Sequence, residues 1–177
     1  YLLFLDGDCV LPPDHVATHL GFQRGEFVAS GNCYRLEREV SESIDEAAIA
    51  RGEFAGWASR AEIRRLANLH RKARFYELTR SRIRPKLIGN NIAVWREDYE
   101  RINGFDENFQ GWGGEDDDLN LRLRRAGCRV RSILGRTRTY HLWHPPAPSA
   151  PKRWGDGANV GYLRRGARLT RCRNGLV

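Results

Sequence analysis

The stretch Gly111-Trp112-Gly113-Gly114-Glu115-Asp116-Asp117-Asp118 constrains this chain more than any other, because three glycines and one indole lead directly into four consecutive carboxylates where a helix starts. The helix is predicted over residues 116–126: Leu119, Leu123 and Ala126 share a face, Arg122, Arg124 and Arg125 gather at the carboxyl end, and Gly127 closes it. Acids are favoured at a helix N-terminus by roughly 0.3–1 kcal/mol each. That accounts for one or two carboxylates, whereas four repel one another and the glycines before them cost backbone entropy. Packing alone would select against such a segment, so it reads as a binding site.

A second acidic pair, Asp6 and Asp8, ends the apolar run Tyr1-Leu2-Leu3-Phe4-Leu5, which is expected to be a strand buried on both faces of a parallel sheet. Side chains alternate along a strand, so the two carboxylates point the same way with Gly7 between them. Ligands of open α/β sheets sit beyond the carboxyl ends of strands, where this pair emerges. Convergent carboxylates there suit a hard divalent cation, Mg²⁺ or Mn²⁺, although an isolated Asp-x-Asp is also a common solvated turn.

Pro12-Pro13-Asp14 announces a helix over His15 to Phe22, and the alternation from Glu26 to Leu36 predicts the next strand. Residues 41–80 carry apolar positions at approximate helical spacing among Glu, Ala and Arg, and are expected to form one or two amphipathic helices with a solvated charged face. Pro85 marks a break, Lys86 to Trp95 reads as a strand, and Glu97 to Ile102 as a short helix ended by a left-handed cap at Asn103-Gly104. Cys128 to Ile133 is the strand after the acidic helix. Residues 1–146 form the expected catalytic unit, and 147–177, rich in Pro, Gly and Arg, a poorly packed tail or a short helix around Tyr162 to Leu169.

Five segments follow one another: the strand with Asp6-Gly7-Asp8, Gly89-Asn90-Asn91-Ile92-Ala93-Val94-Trp95-Arg96, Ile102-Asn103-Gly104-Phe105-Asp106, the acidic block, and Tyr140-His141-Leu142-Trp143-His144-Pro145. Together they resemble the A-type (GT-A) nucleotide-sugar glycosyltransferases, specifically family-2 enzymes whose C-terminal half is similar to that of the β-1,4-galactosyltransferases and the bacterial chondroitin polymerase. The resemblance runs from Tyr1 to about Pro146. It implies an α/β, Rossmann-like GT-A fold with a mixed sheet and flanking helices, of which this chain holds the C-terminal portion. The nucleotide-binding half is then expected upstream, which puts activity of this portion alone in question.

The same resemblance implies transfer of a sugar from a nucleotide-diphosphate sugar, with UDP-hexose expected, to a hydroxyl of a glycan or lipid-linked sugar, with Mn²⁺ or Mg²⁺ as cofactor. Asp8 would bind the metal, and Asp6 the ribose or a metal-bound water; His141, preferred over His144, would be a further ligand. The catalytic work falls to Asp116 as base, beside Glu115, with Glu115 and Asp117 orienting acceptor hydroxyls; one base and direct displacement give inversion. Trp112 either stacks on a sugar ring or anchors its loop, while Gly111, Gly113 and Gly114 permit a lid. Gly89 and Asn91 are expected to line the donor sugar.

The formal charge of +8 is nearly all arginine, with lysine only at Lys72, Lys86 and Lys152. It favours nucleotide phosphates, a lipid-pyrophosphate acceptor or an anionic membrane surface, although a GC-rich genome produces the same arginine bias. No stretch approaches the roughly 20 apolar residues of a membrane span, and the expected location is cytoplasmic, at the inner face of the membrane as a peripheral protein. Cys9, Cys33, Cys128 and Cys172 lack the spacing of a zinc ribbon or redox motif and fit a reducing compartment.

Three other readings compete. Asp106-x-Asn108-x-Gln110-Gly111 followed by Asp117 imitates a calcium loop, but Gly113 stands where such loops carry an apolar residue and Asp replaces the terminal Glu. A nucleic-acid-binding module, prompted by the pI of 9.8, requires basic residues around exposed Trp or Tyr away from a carboxylate cleft, and nucleic acid is not the expected partner. A non-catalytic remnant would keep the sugar cleft without nucleotide affinity.

Overall fold

The computed structural model describes residues 1–22, 27–166 and 168–177. Among these the strands are β1 (Leu2–Phe4), β2 (Cys9–Val10), β3 (Val28–Ser30), β4 (Cys33–Arg35), β5 (Ile92–Val94), β6 (Val130–Ser132) and β7 (Thr139–His141). The α-helices are α1 (His15–Phe22), α2 (Arg38–Ser43), α3 (Glu46–Arg51), α4 (Arg60–Leu78), α5 (Arg96–Arg101), α6 (Glu115–Arg125) and α7 (Val160–Gly166). The architecture is mixed α/β. One sheet runs β1-β5-β3-β6, with β5 antiparallel to both β1 and β3 and with β3 parallel to β6; a smaller sheet runs β2-β7-β4.

Alternation along the strands sorts the core into two layers. Val28, Ile92, Val94 and Val130 face Leu119 and Leu123 of α6, whereas Ala29 and Ala93 face the opposite way, toward Ile133, Leu3 and Phe22. Packing Leu119 and Leu123 of α6 on the sheet fixes where its acidic first turn sits.

Several sequence expectations need correction. β1 is antiparallel to β5, half-buried, and without a second strand partner among the described residues, rather than an inner strand of a parallel sheet. The strand expected from Glu26 to Leu36 is two strands; Glu26 lies outside the described residues. Gly31 and Asn32 break it: a Cβ at Gly31 would collide with the Asn91 side chain, and the Cys33 N–H donates to Asn32 Oδ1 (2.8 Å), turning the chain from one sheet into the other. Of Lys86 to Trp95 only β5 is a paired strand, and Gly89–Asn91 forms one turn of 3-10 helix. Residues 41–80 hold the end of α2 and all of α3 and α4, because Asp45 caps α3, Gly52 ends it with φ 71°, and Ser59 caps α4.

The segment after Pro146 is packed rather than loose. Val160 and Cys172 are buried, and Asn103 Nδ2 donates to the carbonyls of Cys172 (3.2 Å) and Val177 (2.8 Å). Its helix, α7, starts two residues earlier than the expected Tyr162 and ends at Gly166.

One of the four acids is structural. Asp118 Oδ2 accepts from Nε of the buried Arg122 at 2.7 Å, and Arg122 Nη1 donates to the carbonyls of Ile102 (2.8 Å) and Gly104 (2.7 Å) after α5. Asp118→Ala would leave that guanidinium buried and uncompensated, so a loss of about 3–5 kcal/mol in denaturant unfolding is expected.

Candidate active site

The antiparallel pairing of β2 with β7 sets Cys9 opposite His141, and the Leu142 N–H donates to the Asp8 carbonyl at 3.0 Å. That register brings imidazoles to Asp8, the residue just before β2. His141 Nε2 lies 3.4 Å from Asp8 Oδ1 and 3.8 Å from Asp6 Oδ2, and His144 Nε2 lies 3.2 Å from Asp8 Oδ2. Asp8 and both histidines offer ligand atoms within 4.8 Å of one another; His141, expected as a ligand ahead of His144, is the more enclosed ring and also meets Asp6. Each ring is oriented from behind. His141 Nδ1 meets the Leu142 carbonyl at 2.8 Å and His144 Nδ1 meets the Pro145 carbonyl at 2.7 Å. A carbonyl only accepts, so Nδ1 carries the proton in both rings and Nε2 in the neutral ring presents a lone pair toward Asp8. Two imidazole nitrogens and a carboxylate form a donor set that fits a borderline divalent cation and suits Mn²⁺ better than Mg²⁺.

The acidic helix start lies within electrostatic reach of Asp6, which borders the histidine cluster. The Gly89 N–H donates to Asp116 Oδ2 at 2.7 Å, and a Cβ on Gly89 would lie 3.0 Å from Asp116 Oδ1, so the approach needs glycine. Burial raises the Asp116 carboxyl to a pKa of about 6; the Gly89 N–H opposes that, and the charges of Glu115, Asp6 and Asp117 add to it. Burial also raises Asp6, against the pull of His141 and with a push from Asp8. Asp6 therefore acts electrostatically on both the histidine cluster and Asp116. Glu115 keeps Oε2 buried and without a hydrogen-bond partner among the described residues. Asp117 is engaged by Lys86 Nζ at 2.6 Å, a partner that sequence reasoning missed.

The glycine loop is gripped by the C-terminal segment. Ser149 Oγ accepts from the Trp112 N–H (3.0 Å), and Asn159 Nδ2 donates to the carbonyls of Gln110 (3.1 Å) and Gly113 (2.8 Å). Gly111, Gly113 and Gly114 take φ of 70°, 89° and 100°, values that side chains rarely adopt. Trp112 is 49% exposed and meets Trp154, 45% exposed, edge to face with centroids 6.3 Å apart. Trp154 had no sequence signal beyond being an aromatic in a Pro- and Gly-rich stretch. The calcium-loop imitation is accounted for otherwise: Asp106 Oδ1 accepts from Asn108 N and Nδ2, and Oδ2 accepts from the Tyr162 hydroxyl at 2.8 Å.

Asn91, expected to line the donor sugar, is fully buried behind the site. Its Oδ1 accepts from His19 Nε2 at 3.0 Å, and the neighbouring His15 Nδ1 meets Thr137 Oγ1 at 2.7 Å. Burial lowers the pKa of both rings, that of His19 from 6.5 to about 4. Above pH 6.5 both folded and unfolded chains hold neutral His19; between 6.5 and 4 only the unfolded chain binds the proton, so stability falls as the solution is acidified. A loss of up to about 3 kcal/mol is expected, read as a drop in melting temperature from pH 7 to 4.5 that flattens in His19→Gln.

Comparison with known proteins covers part of this chain. Residues 62–145, just under half of the chain, match the family model described as N-terminal domain of galactosyltransferase. The matched region is galactosyltransferase-like and holds Gly89, the whole Gly-Trp-Gly-Gly-Glu-Asp-Asp-Asp block, His141 and His144, whereas Asp6 and Asp8 lie before it. Rat β-1,4-galactosyltransferase 4 is 53% identical over 45 residues, 25% of this chain and 13% of that protein. Human β-1,4-galactosyltransferase 4 is 54% identical over 55 residues, 31% of this chain and 16% of its own length. Human β-1,4-galactosyltransferase 3 is 41% identical over 46 residues, 26% and 12% of the respective chains.

Proposed function

We propose that this protein is a glycosyltransferase that moves a hexose from a nucleotide-diphosphate sugar to a hydroxyl of a glycan or lipid-linked sugar. The reading rests on one observation: Asp6 stands within electrostatic reach of both the Asp8–His141–His144 cluster and Asp116 at the acidic helix start. The galactosyltransferase-like match supports a nucleotide-sugar donor, with UDP-galactose the first to try.

In this reading Asp8, His141 and His144 hold a divalent cation, Mn²⁺ before Mg²⁺, which when bound supplies Lewis-acid neutralisation of the diphosphate. Asp116, raised toward neutrality by burial, takes the acceptor proton, and its bond from Gly89 keeps the second carboxylate oxygen in place. Glu115, with its uncommitted oxygen, orients the acceptor hydroxyl. Trp112 and Trp154 offer an indole corner on which an apolar sugar face can rest, and closing it over the cleft excludes water. A single base opposite the departing diphosphate leads to inversion.

The test supplies nucleotide-diphosphate hexoses with Mn²⁺, with Mg²⁺, or with a chelator, and follows nucleotide diphosphate release with and without an acceptor sugar. Acceptor-stimulated, metal-dependent release and an inverted anomeric signal by NMR are expected. Sugar binding without turnover in any metal would instead leave a carbohydrate-binding remnant.

A further inference from the structure

A cleft of about 990 Å³ lies away from the acidic helix start, where the ends of α4 and α6 meet the start of β6, and arginines dominate its lining. Its rim is the turn after α4. Arg80, with φ 51°, reverses the chain, and the turn is pinned by the Ser81 N–H donating to the Tyr76 carbonyl (2.9 Å) and by Arg124 donating to the Pro85 carbonyl (2.5 Å). This fixed turn carries Arg80, Arg82 and Arg84, which make no ion pair among the described residues. Between and beside them stand apolar side chains with no cover: Leu78 is 77% exposed, Ile83 60%, and Phe75, one turn earlier on α4, 60%.

Exposed apolar side chains set among unpaired guanidinium groups match an anionic bilayer surface, where arginines meet lipid phosphates and aliphatic groups enter the headgroup–acyl boundary. A nucleic-acid surface would offer aromatic faces for bases to stack on. Here two of the three apolar tips are aliphatic, and the Phe27 ring inside the cleft is already covered by Arg129 and Arg131, at 4.8 and 4.5 Å from its centroid. Among the described residues no helix is long and apolar enough to cross a membrane, so contact through this face would be peripheral.

We infer that the α4 end and the Arg80–Arg84 turn form a docking surface for anionic phospholipid membranes. The inference does not depend on the transferase reading. It is tested by flotation of the protein with phosphatidylcholine vesicles, with and without phosphatidylglycerol. Co-flotation only with phosphatidylglycerol, weakened by salt, is expected. The combined Arg80→Gln, Arg82→Gln and Arg84→Gln variant should lower the partition coefficient about 100-fold. The Leu78→Ser and Ile83→Ser pair should lower it about tenfold, with circular dichroism unchanged; if either combination alters the spectrum, Arg82→Gln and Ile83→Ser alone are read instead, each expected to weaken flotation. Equal flotation with neutral vesicles, none with phosphatidylglycerol, unchanged partition in the variants, or complete stripping by a single-stranded oligonucleotide at matched phosphate would overturn it.

Discussion

Asp116→Asn is expected to lower sugar transfer by about 10²–10⁴-fold, the usual worth of a general base, while making the folded protein more stable at neutral pH. The two effects have one cause. Burial lifts the Asp116 carboxyl from 3.8 to about 6, so the folded state holds its proton more firmly than the unfolded chain does. Between those values only the folded state is protonated, and stability declines as pH rises through the interval; above pH 6 the full penalty of an ionised, half-enclosed carboxylate remains, on the order of 2–3 kcal/mol. Asparagine removes the charge and still offers Oδ1 to the Gly89 N–H. Thermal melts should therefore show the variant above the parent at pH 7.5 and level with it near pH 4, and the parent's activity should climb with pH to a plateau beyond about 6. An equally active variant would take the base away from Asp116. A variant melting below the parent at pH 7.5 would show that Gly89 needs the carboxylate itself.

Removing both imidazoles, His141→Ala with His144→Ala, should weaken Mn²⁺ binding by more than about 100-fold, since disturbing groups that merely orient a ligand already costs 10–100-fold. Each single variant should lose less, because Asp8 and the remaining ring stay in place. Electron paramagnetic resonance of free Mn²⁺ in a titration separates these outcomes and is independent of turnover. If His144→Ala binds like the parent while His141→Ala does not, the cluster is a two-residue site in which His144 serves only as an ion-pair partner of Asp8. Transfer in excess Mn²⁺ should recover partly in the single variants and not in the double one.

What sequence revealed and what it hid divide along local and distant causes. The α1, α5 and α6 helices carried their own signals: Pro13-Asp14 before His15, the Asn103-Gly104 stop with φ of 68° and 71°, and the acidic start with Gly127 after the last turn. The Asp6–Asp8 pair and the His141–His144 segment were likewise singled out by their chemistry and order along the chain, and the fold sets them side by side. The breaks inside residues 26–36 and 86–95 were not, since they arise from Gly31 lying against Asn91, a contact between segments remote in sequence. Burial of Asn91 followed from the same contact. The division of labour among four adjacent acids was partly hidden: Arg122 lies one helical turn after Asp118 and pairs with it locally, whereas Lys86 reaches Asp117 from a segment that only folding brings near. Composition also misjudged residues 147–177, for a single Asn or Ser in a Pro- and Gly-rich stretch gives no sign that it will hold a loop elsewhere.

That hold has a kinetic implication. Any swing of Trp112 away from its resting pose must part the Ser149 bond and slide past Trp154, so in the proposed transferase the barrier to admitting or releasing a sugar is written into residues far downstream of Asp116. Under that proposal, changes there would retune the tempo of turnover and leave the bond-making chemistry as it was.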